Sequence, residues 1–135
     1  MSKPRVDTIG SVGVTYVRVK VSNPRQPGEQ AIELEFLVDT GAIYSVVPGG
    51  VLEALGVPRL KRQDFTLADG THQAYDVGEA FFELGGDLGT SKVIFGPEGV
   101  TPLFGALTLE SLGLMVNPVT RELLPMRLVL ARAAG

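Results

Sequence analysis

The sequence predicts an all-β domain in which short strands are joined by tight turns. Two features carry that expectation. Seventeen glycines and nine prolines punctuate short apolar runs along the whole chain, as expected of strands separated by turns. Several of those runs are β-branched and alternate apolar with polar residues, the period-two pattern of a strand with one face in a core.

Taken in order, Val14 to Val21 reads as a strand with Thr15, Val17, Val19 and Val21 on one face. Asn23-Pro24-Arg25-Gln26-Pro27-Gly28 is a loop by composition. From Ala31 the even positions Ile32, Leu34, Phe36 and Val38 are apolar, while Glu33 and Glu35 face outward into solvent. This half-buried strand delivers Asp39 at its end. Gly50 to Gly56 places Val51, Leu52 and Leu55 at helical spacing, with Gly56 as the stop. Phe65-Thr66-Leu67 and Tyr75-Asp76-Val77 flank Ala68-Asp69-Gly70-Thr71, and Asp-Gly between strand-like runs signals a hairpin. Further strands are expected at Ala80 to Leu84, at Lys92 to Phe95, and at Leu114 to Val116 paired with Glu122 to Leu124. The terminal Leu128-Val129-Leu130 is apolar enough to need a partner. Neither an internal repeat nor an interdomain linker is evident.

At 135 residues the chain is expected to form one domain, 1–135, burying about two thirds of its unfolded surface. Twelve basic against fifteen acidic residues, without a long run of either sign, argue against an electrostatic nucleic-acid footprint. The absence of cysteine excludes disulfides, thiolate catalysis and cysteine-ligated metals, and fits a reducing compartment. The first residues, Met1-Ser2-Lys3-Pro4-Arg5-Val6-Asp7, contain no apolar signal core, and no apolar stretch approaches the ~20 residues that span a bilayer. The expected location is the cytoplasm, with no membrane association.

Phe36-Leu37-Val38-Asp39-Thr40-Gly41-Ala42 is an apolar run that ends on an acid, and its Asp-Thr-Gly occurs once. A carboxylate at the end of a core strand is costly to bury without hydrogen bonds. Thr40 supplies a hydroxyl, Gly41 allows a tight turn with positive φ, and Ala42 leaves little bulk beside the acid. That suits an aspartate held rigidly in a site. A lone carboxylate, however, is not general acid and general base at once. Taken alone, Asp39 reads better as a turn-capping aspartate than as a catalytic one.

The stretch 36–42, followed by Tyr44-Ser45-Val46-Val47-Pro48, resembles the active-site loop of the retropepsin-like aspartic proteases, particularly the small bacterial single-lobe type. Leu103-Phe104-Gly105 resembles the family's second marker, 106–114 its helix, and Asn117-Pro118 its closing turn, where many relatives carry Asp-Pro. The similarity covers a core of about 12–125. It implies a closed, barrel-like lobe with one or two short helices, and an aspartic endopeptidase that works as a homodimer on an extended peptide or protein substrate. Water is the nucleophile, and no metal or organic cofactor is implied.

By the same resemblance Asp39 is catalytic and meets its copy at a two-fold axis, the pair sharing one proton and titrating as a unit. Thr40 braces the opposite subunit's loop, Gly41 donates its backbone N–H to the carboxylate, and Ala42 completes the loop. Leu103, Phe104 and Gly105 pack beneath it. Ala68, Asp69, Gly70 and Thr71 fall where the family has its substrate-covering flap, and the terminal Leu128-Val129-Leu130 where subunits interleave. The rival reading is a non-catalytic peptide-binding or dimerisation module on the same fold.

Other chemistry finds less support. His72, the sole histidine, reads as a solvated loop residue and Tyr75 as hairpin packing. Gly85-Gly86-Asp87-Leu88-Gly89-Thr90-Ser91-Lys92 lacks the phosphate-loop order and reads as a tight strand connection. Neither Gly-x-Ser-x-Gly nor His-Glu-x-x-His occurs.

Overall fold

The structure, a computed structural model, describes residues 8–11 and 14–126, with side chains described from Thr15 onward. The terminal Leu128-Val129-Leu130 lies outside the described residues.

The chain is mostly β, as expected. The first strands are β1 (Thr8–Ser11), β2 (Val14–Ser22) and β3 (Ile32–Val38). β1 has no counterpart among the predicted strands: its four residues include a glycine and lack an alternating run. It forms by pairing with the start of β2. In β2, Val17, Val19 and Val21 are fully buried, on the face that alternation assigns to them. The outward Arg18 and Lys20 stand opposite Glu35 and Glu33 of β3, so the exposed face carries cross-strand charge pairs.

Next come β4 (Ser45–Pro48) and α1 (Gly49–Ala54). The helix ends as Gly56 suggests, at φ +74. The Gly56 N–H donates to Glu53 O, and the Val57 N–H to Leu52 O at 3.0 Å. Together these bonds satisfy carbonyls that the helix end would otherwise leave open. Asn23, in the loop after β2, donates from Nδ2 to the Leu55 and Gly56 carbonyls and ties that loop to the helix end.

β5 (Lys61–Thr66) and β6 (His72–Leu84) form the predicted hairpin, with the exposed His72 as the first residue of β6 rather than a loop residue. The runs at Tyr75 and Ala80, expected as separate strands, are one continuous strand through Gly78. A Cβ at Gly78 would lie 2.6 Å from the Pro58 carbonyl oxygen and 3.0 Å from the Phe95 ring, so glycine serves close approach here and not a break. Gly85-Gly86 alone joins β6 to β7 (Asp87–Gly96), with Leu84 opposite Asp87, so the connection expected over 85–92 is shorter and Asp87 to Ser91 belong to the strand expected to start at Lys92, held there by pairing with β6.

The chain continues through β8 (Leu103–Phe104), α2 (Ala106–Ser111), β9 (Leu114–Val116) and β10 (Leu123–Pro125). Leu123 stands opposite Val116, which shifts the second strand one residue beyond the predicted Glu122 to Leu124.

Eight strands form one sheet in the order β1-β2-β3-β8-β4-β7-β6-β5, and a further β2–β6 pairing closes six of them into a ring. β9 and β10 form a separate two-stranded sheet. Within the ring lies an aromatic cluster of Phe36, Phe82 and Phe104, all fully buried, with centroids 5.6–6.2 Å apart and edge-to-face rings. Among the described residues, no helix is long and apolar enough to cross a membrane.

Candidate functional site

β8 is inserted between β3 and β4, two strands consecutive in sequence, parallel to the first and antiparallel to the second. The loop from Asp39 to Tyr44 must therefore pass over the end of β8. The Leu37 N–H donates to Pro102 O at 2.9 Å, and the Asp39 N–H to Phe104 O at 3.0 Å. These bonds fix the backbone from which the Asp39 carboxylate projects.

The loop then closes on itself. The Gly41 N–H donates to Asp39 Oδ1 at 3.0 Å, and the Ala42 N–H to Asp39 O at 3.1 Å. Gly41 does not take the positive φ expected of it, since a turn closed by these bonds does not require a left-handed residue. Its small size matters instead: a Cβ would stand 3.2 Å from Asp39 Oδ1, closer than ordinary contact. Thr40 is exposed, while Asp39 and Ala42 are half-buried.

α2 carries no side-chain cap at its start. The Ala106 N–H donates to Ala42 O at 2.8 Å and the Leu107 N–H to Ile43 O at 3.0 Å. The helix's unsatisfied donors and the loop's carbonyls thus hold each other. Gly105, just before the helix, packs against that loop: a Cβ there would sit 2.7 Å from the Tyr44 carbonyl and 2.9 Å from Ala42 O. Phe104 is fully buried below, and Leu103 partly so.

A buried chain of hydroxyls supports this arrangement from beneath, and the residue pattern does not announce it. The Gly105 N–H donates to Ser45 Oγ at 2.9 Å, Ser45 Oγ and Thr108 Oγ1 are 2.5 Å apart, and Thr108 donates to Ser91 Oγ at 3.1 Å. Each hydroxyl has one hydrogen. Thr108 spends its own on Ser91, so Ser45 donates to Thr108.

The hairpin turn is equally well defined. The Leu67 N–H donates to Thr71 O at 2.7 Å, Gly70 adopts φ +86, and Asp69 Oδ1 accepts from both the Thr71 hydroxyl (2.6 Å) and the Thr71 N–H (2.9 Å). The hydroxyl bond first, and then the backbone bond, hold the Asp69 carboxyl below its ordinary pKa. A depressed folded value means that the carboxylate's support of the turn is complete above about pH 4 and is lost as pH falls through the folded value. Hydrogen exchange at the Thr71 amide, corrected for the intrinsic rate, is expected to show constant protection from pH 7 to 5. Protection should fall below about pH 4; unchanged protection down to pH 2 would contradict it.

At the base of the hairpin Asp76 accepts from Arg59 at 2.6 Å and from Arg62 at 3.1 Å. Arg59 also pairs with Glu53 and lies 4.3 Å over the Phe95 ring. The Arg59 bond, and then Arg62, hold the Asp76 carboxyl below its ordinary value. Between hairpin and loop runs an aromatic row, Tyr44 to Phe65 at 5.7 Å and Phe65 to Tyr75 at 6.0 Å. Tyr75 is thus a packing residue, as its position suggests.

Asp39 and Thr40 open onto a cleft of about 230 Å³. Leu37, Val38 and Val116 give it apolar walls, and Thr15 and Arg121 complete it. Ala68, Asp69, Gly70 and Thr71 do not line this cleft; their hairpin reaches the Asp39 loop through the aromatic row. Among the described residues no group of three His, Cys, Asp or Glu side chains is placed to hold a metal ion. Arg121 escapes a reading of the sequence because, Val116 apart, the residues that line the cleft with it are distant along the chain. Comparison with family models, with curated proteins and with solved structures finds no match to this chain.

Proposed function

We propose that the chain is one subunit of a homodimeric, retropepsin-like aspartic endopeptidase. The observation that carries this reading is the mounting of Asp39: an acid at the end of a core strand, its backbone held by an inserted strand, its carboxylate bonded by the Gly41 N–H, and a cleft before it.

In this mechanism the Asp39 carboxylates of two subunits share one proton. The ionised member takes a proton from a bound water as its oxygen attacks the scissile carbonyl carbon, and the protonated member gives its proton to the carbonyl oxygen. The resulting tetrahedral diol collapses as the carbon–nitrogen bond breaks. One hydroxyl proton passes to the ionised member of the pair while the protonated member gives its proton to the leaving nitrogen, so the pair again holds one proton. Thr40 braces the opposite loop, Gly41 orients the acid, and the hairpin tip from Ala68 to Thr71 covers an extended peptide and excludes water. The chemistry asks for no metal or organic cofactor, and a cysteine-free chain suits the reducing cytoplasm.

One Asp-Thr-Gly per chain makes activity depend on assembly. Peptide cleavage per chain is expected to fall on dilution through the dimer dissociation constant measured by sedimentation. Undiminished cleavage where sedimentation shows only monomer would sink this reading. A folded dimer that binds peptides and never cleaves them would be the non-catalytic module instead.

A further inference from the structure

We infer that Arg59 is a positioning residue that clasps the β5–β6 hairpin to the body of the domain and so sets how the hairpin tip lies relative to the Asp39 loop. The inference rests on the proposed protease reading, in which that tip covers the substrate.

The hairpin projects as an arm. β6 pairs with β7 from Val77 to Leu84, whereas its residues 72–76 pair with β5. β5 is the outer strand of the eight-stranded sheet. The arm therefore leaves the ring at Val77 as two strands, an arrangement that is marginally stable by itself. Its two faces make different contacts. Gln63 stands opposite Tyr75 and Phe65 lies two residues further on, so one face carries the aromatic row that ends on Tyr44 of the Asp39 loop. Arg62 stands opposite Asp76 on the other face.

Arg59 lies at the pivot of this arm. The Leu60 N–H donates to Val77 O at 2.8 Å, so the chain around Arg59 meets β6 where the arm leaves the ring. Gly78 admits this approach, because Pro58 O stands only 2.6 Å from where a Cβ would be. One guanidinium then joins three elements. Nη1 donates to Asp76 Oδ2 in the arm at 2.6 Å, Nη2 donates to Glu53 in α1, and the central carbon lies 4.3 Å from the ring centroid of Phe95 in β7. A planar fork that bonds two carboxylates while stacking on an aromatic ring is a geometry that arginine offers and lysine does not. Arg62, by contrast, bonds Asp76 and the Ala74 carbonyl, both within the hairpin. The two arginines share Asp76 and differ in what they join. Arg62 ties strand to strand, and Arg59 ties the arm to the body. Exposed ion pairs are individually weak, which suits biasing the attitude of an arm better than holding a fold together.

The test compares the full chain with its Arg59→Met, Glu53→Gln and Arg62→Met variants. Methionine keeps an apolar stem over Phe95 while removing the charge, and Glu53→Gln loosens the clasp with Arg59 still in place, should Arg59→Met fail to fold. The chain lacks cysteine, so Ala68→Cys at the tip and Leu88→Cys at an exposed position of β7 each take one spin label. Mixing with excess unlabelled chain confines the measured distance to one subunit. Arg59→Met and Glu53→Gln are expected to broaden the tip-to-body distance toward longer values. In unlabelled chains they should raise KM for peptide cleavage by about two- to fivefold with kcat little changed, because a smaller fraction of hairpins is poised over the substrate. Arg62→Met is expected to leave distance and KM near their natural values. Distances unchanged in Arg59→Met and Glu53→Gln, an equal change in Arg62→Met, or distances that move while KM stays put would overturn the inference. If no chain cleaves peptide, the protease reading fails separately, and a distance that responds to residues 53 and 59 but not to 62 still supports the clasp.

Discussion

Replacing Asp39 by asparagine is expected to abolish peptide hydrolysis while leaving the fold in place. Asparagine keeps the size of the side chain and an oxygen that accepts the Gly41 N–H now bonded to Oδ1 at 3.0 Å. The strand and loop are held by main-chain bonds to Pro102 and Phe104, which the substitution does not touch. Stability should therefore change by no more than about 1 kcal/mol. What disappears is the exchangeable proton. Positioned proton transfer contributes roughly 10²–10⁴-fold to rate, and in the proposed mechanism the same pair also activates the water, so loss at or beyond the upper end is expected. Dimers containing one mutant chain should be nearly as inactive, because one carboxylate cannot take and give a proton in the same step. Turnover and thermal melting of homodimers and mixed dimers measure both halves of the expectation. A mutant that cleaves at close to the natural rate removes Asp39 from the mechanism.

The second large effect is expected at Gly105, where a single methyl group has nowhere to go. An alanine Cβ would stand 2.7 Å from both carbon and oxygen of the Tyr44 carbonyl and 2.9 Å from Ala42 O. These are backbone atoms of the loop that carries Asp39, so no rotamer change relieves the clash. Overpacking of this kind costs about 1–3 kcal/mol, which for a domain of this size lowers Tm by about 3–5 °C per kcal/mol. The loop is expected to yield, and a displacement near 1 Å at a catalytic group lowers rate by about 10²-fold. Gly50→Ala is the matched control. Gly50 lies in α1, and a Cβ there meets nothing within 4 Å. That change should raise stability by about 0.5–1 kcal/mol and leave turnover alone. Opposite signs for the two substitutions in melting and peptide-cleavage assays would confirm that contact with the loop, not loss of glycine as such, is decisive. A Gly105→Ala chain as stable and active as the natural one would show that the loop tolerates displacement.

The two residues also illustrate what can be read from sequence. Gly50 sits in a run whose helical spacing is visible in Val51, Leu52 and Leu55, and Gly56 stops that helix at φ +74. Gly105 is recognisable only through resemblance of Leu103-Phe104-Gly105 to a known motif, because the carbonyl it avoids belongs to Tyr44. The strand expected to stop at Val77 and resume at Ala80 runs on through Gly78 for the same reason. Within a strand pattern a glycine suggests a break, yet Pro58 and Phe95 occupy the space where its side chain would be. For Gly41 the motif was legible and the expected φ was not, since the turn from Asp39 to Ala42 is closed by its own hydrogen bonds.

The sequence by itself determined the all-β character, the buried face of β2, the strand that ends on Asp39, the Asp69-Gly70 hairpin and the stop of α1. Each depends on a period or a turn chemistry contained within a few residues, so neighbours along the chain suffice to specify it. Only the tertiary structure decided the closure of the ring through β2 and β6, the insertion of β8 between β3 and β4, the chain of Ser45, Thr108 and Ser91, and the placing of Arg121 in the cleft that Asp39 lines. Thr15 and the Arg121 carbonyl it bonds are 106 positions apart. A contact across that distance depends on which sheet edges and turns come together, and no local pattern of residues encodes that choice.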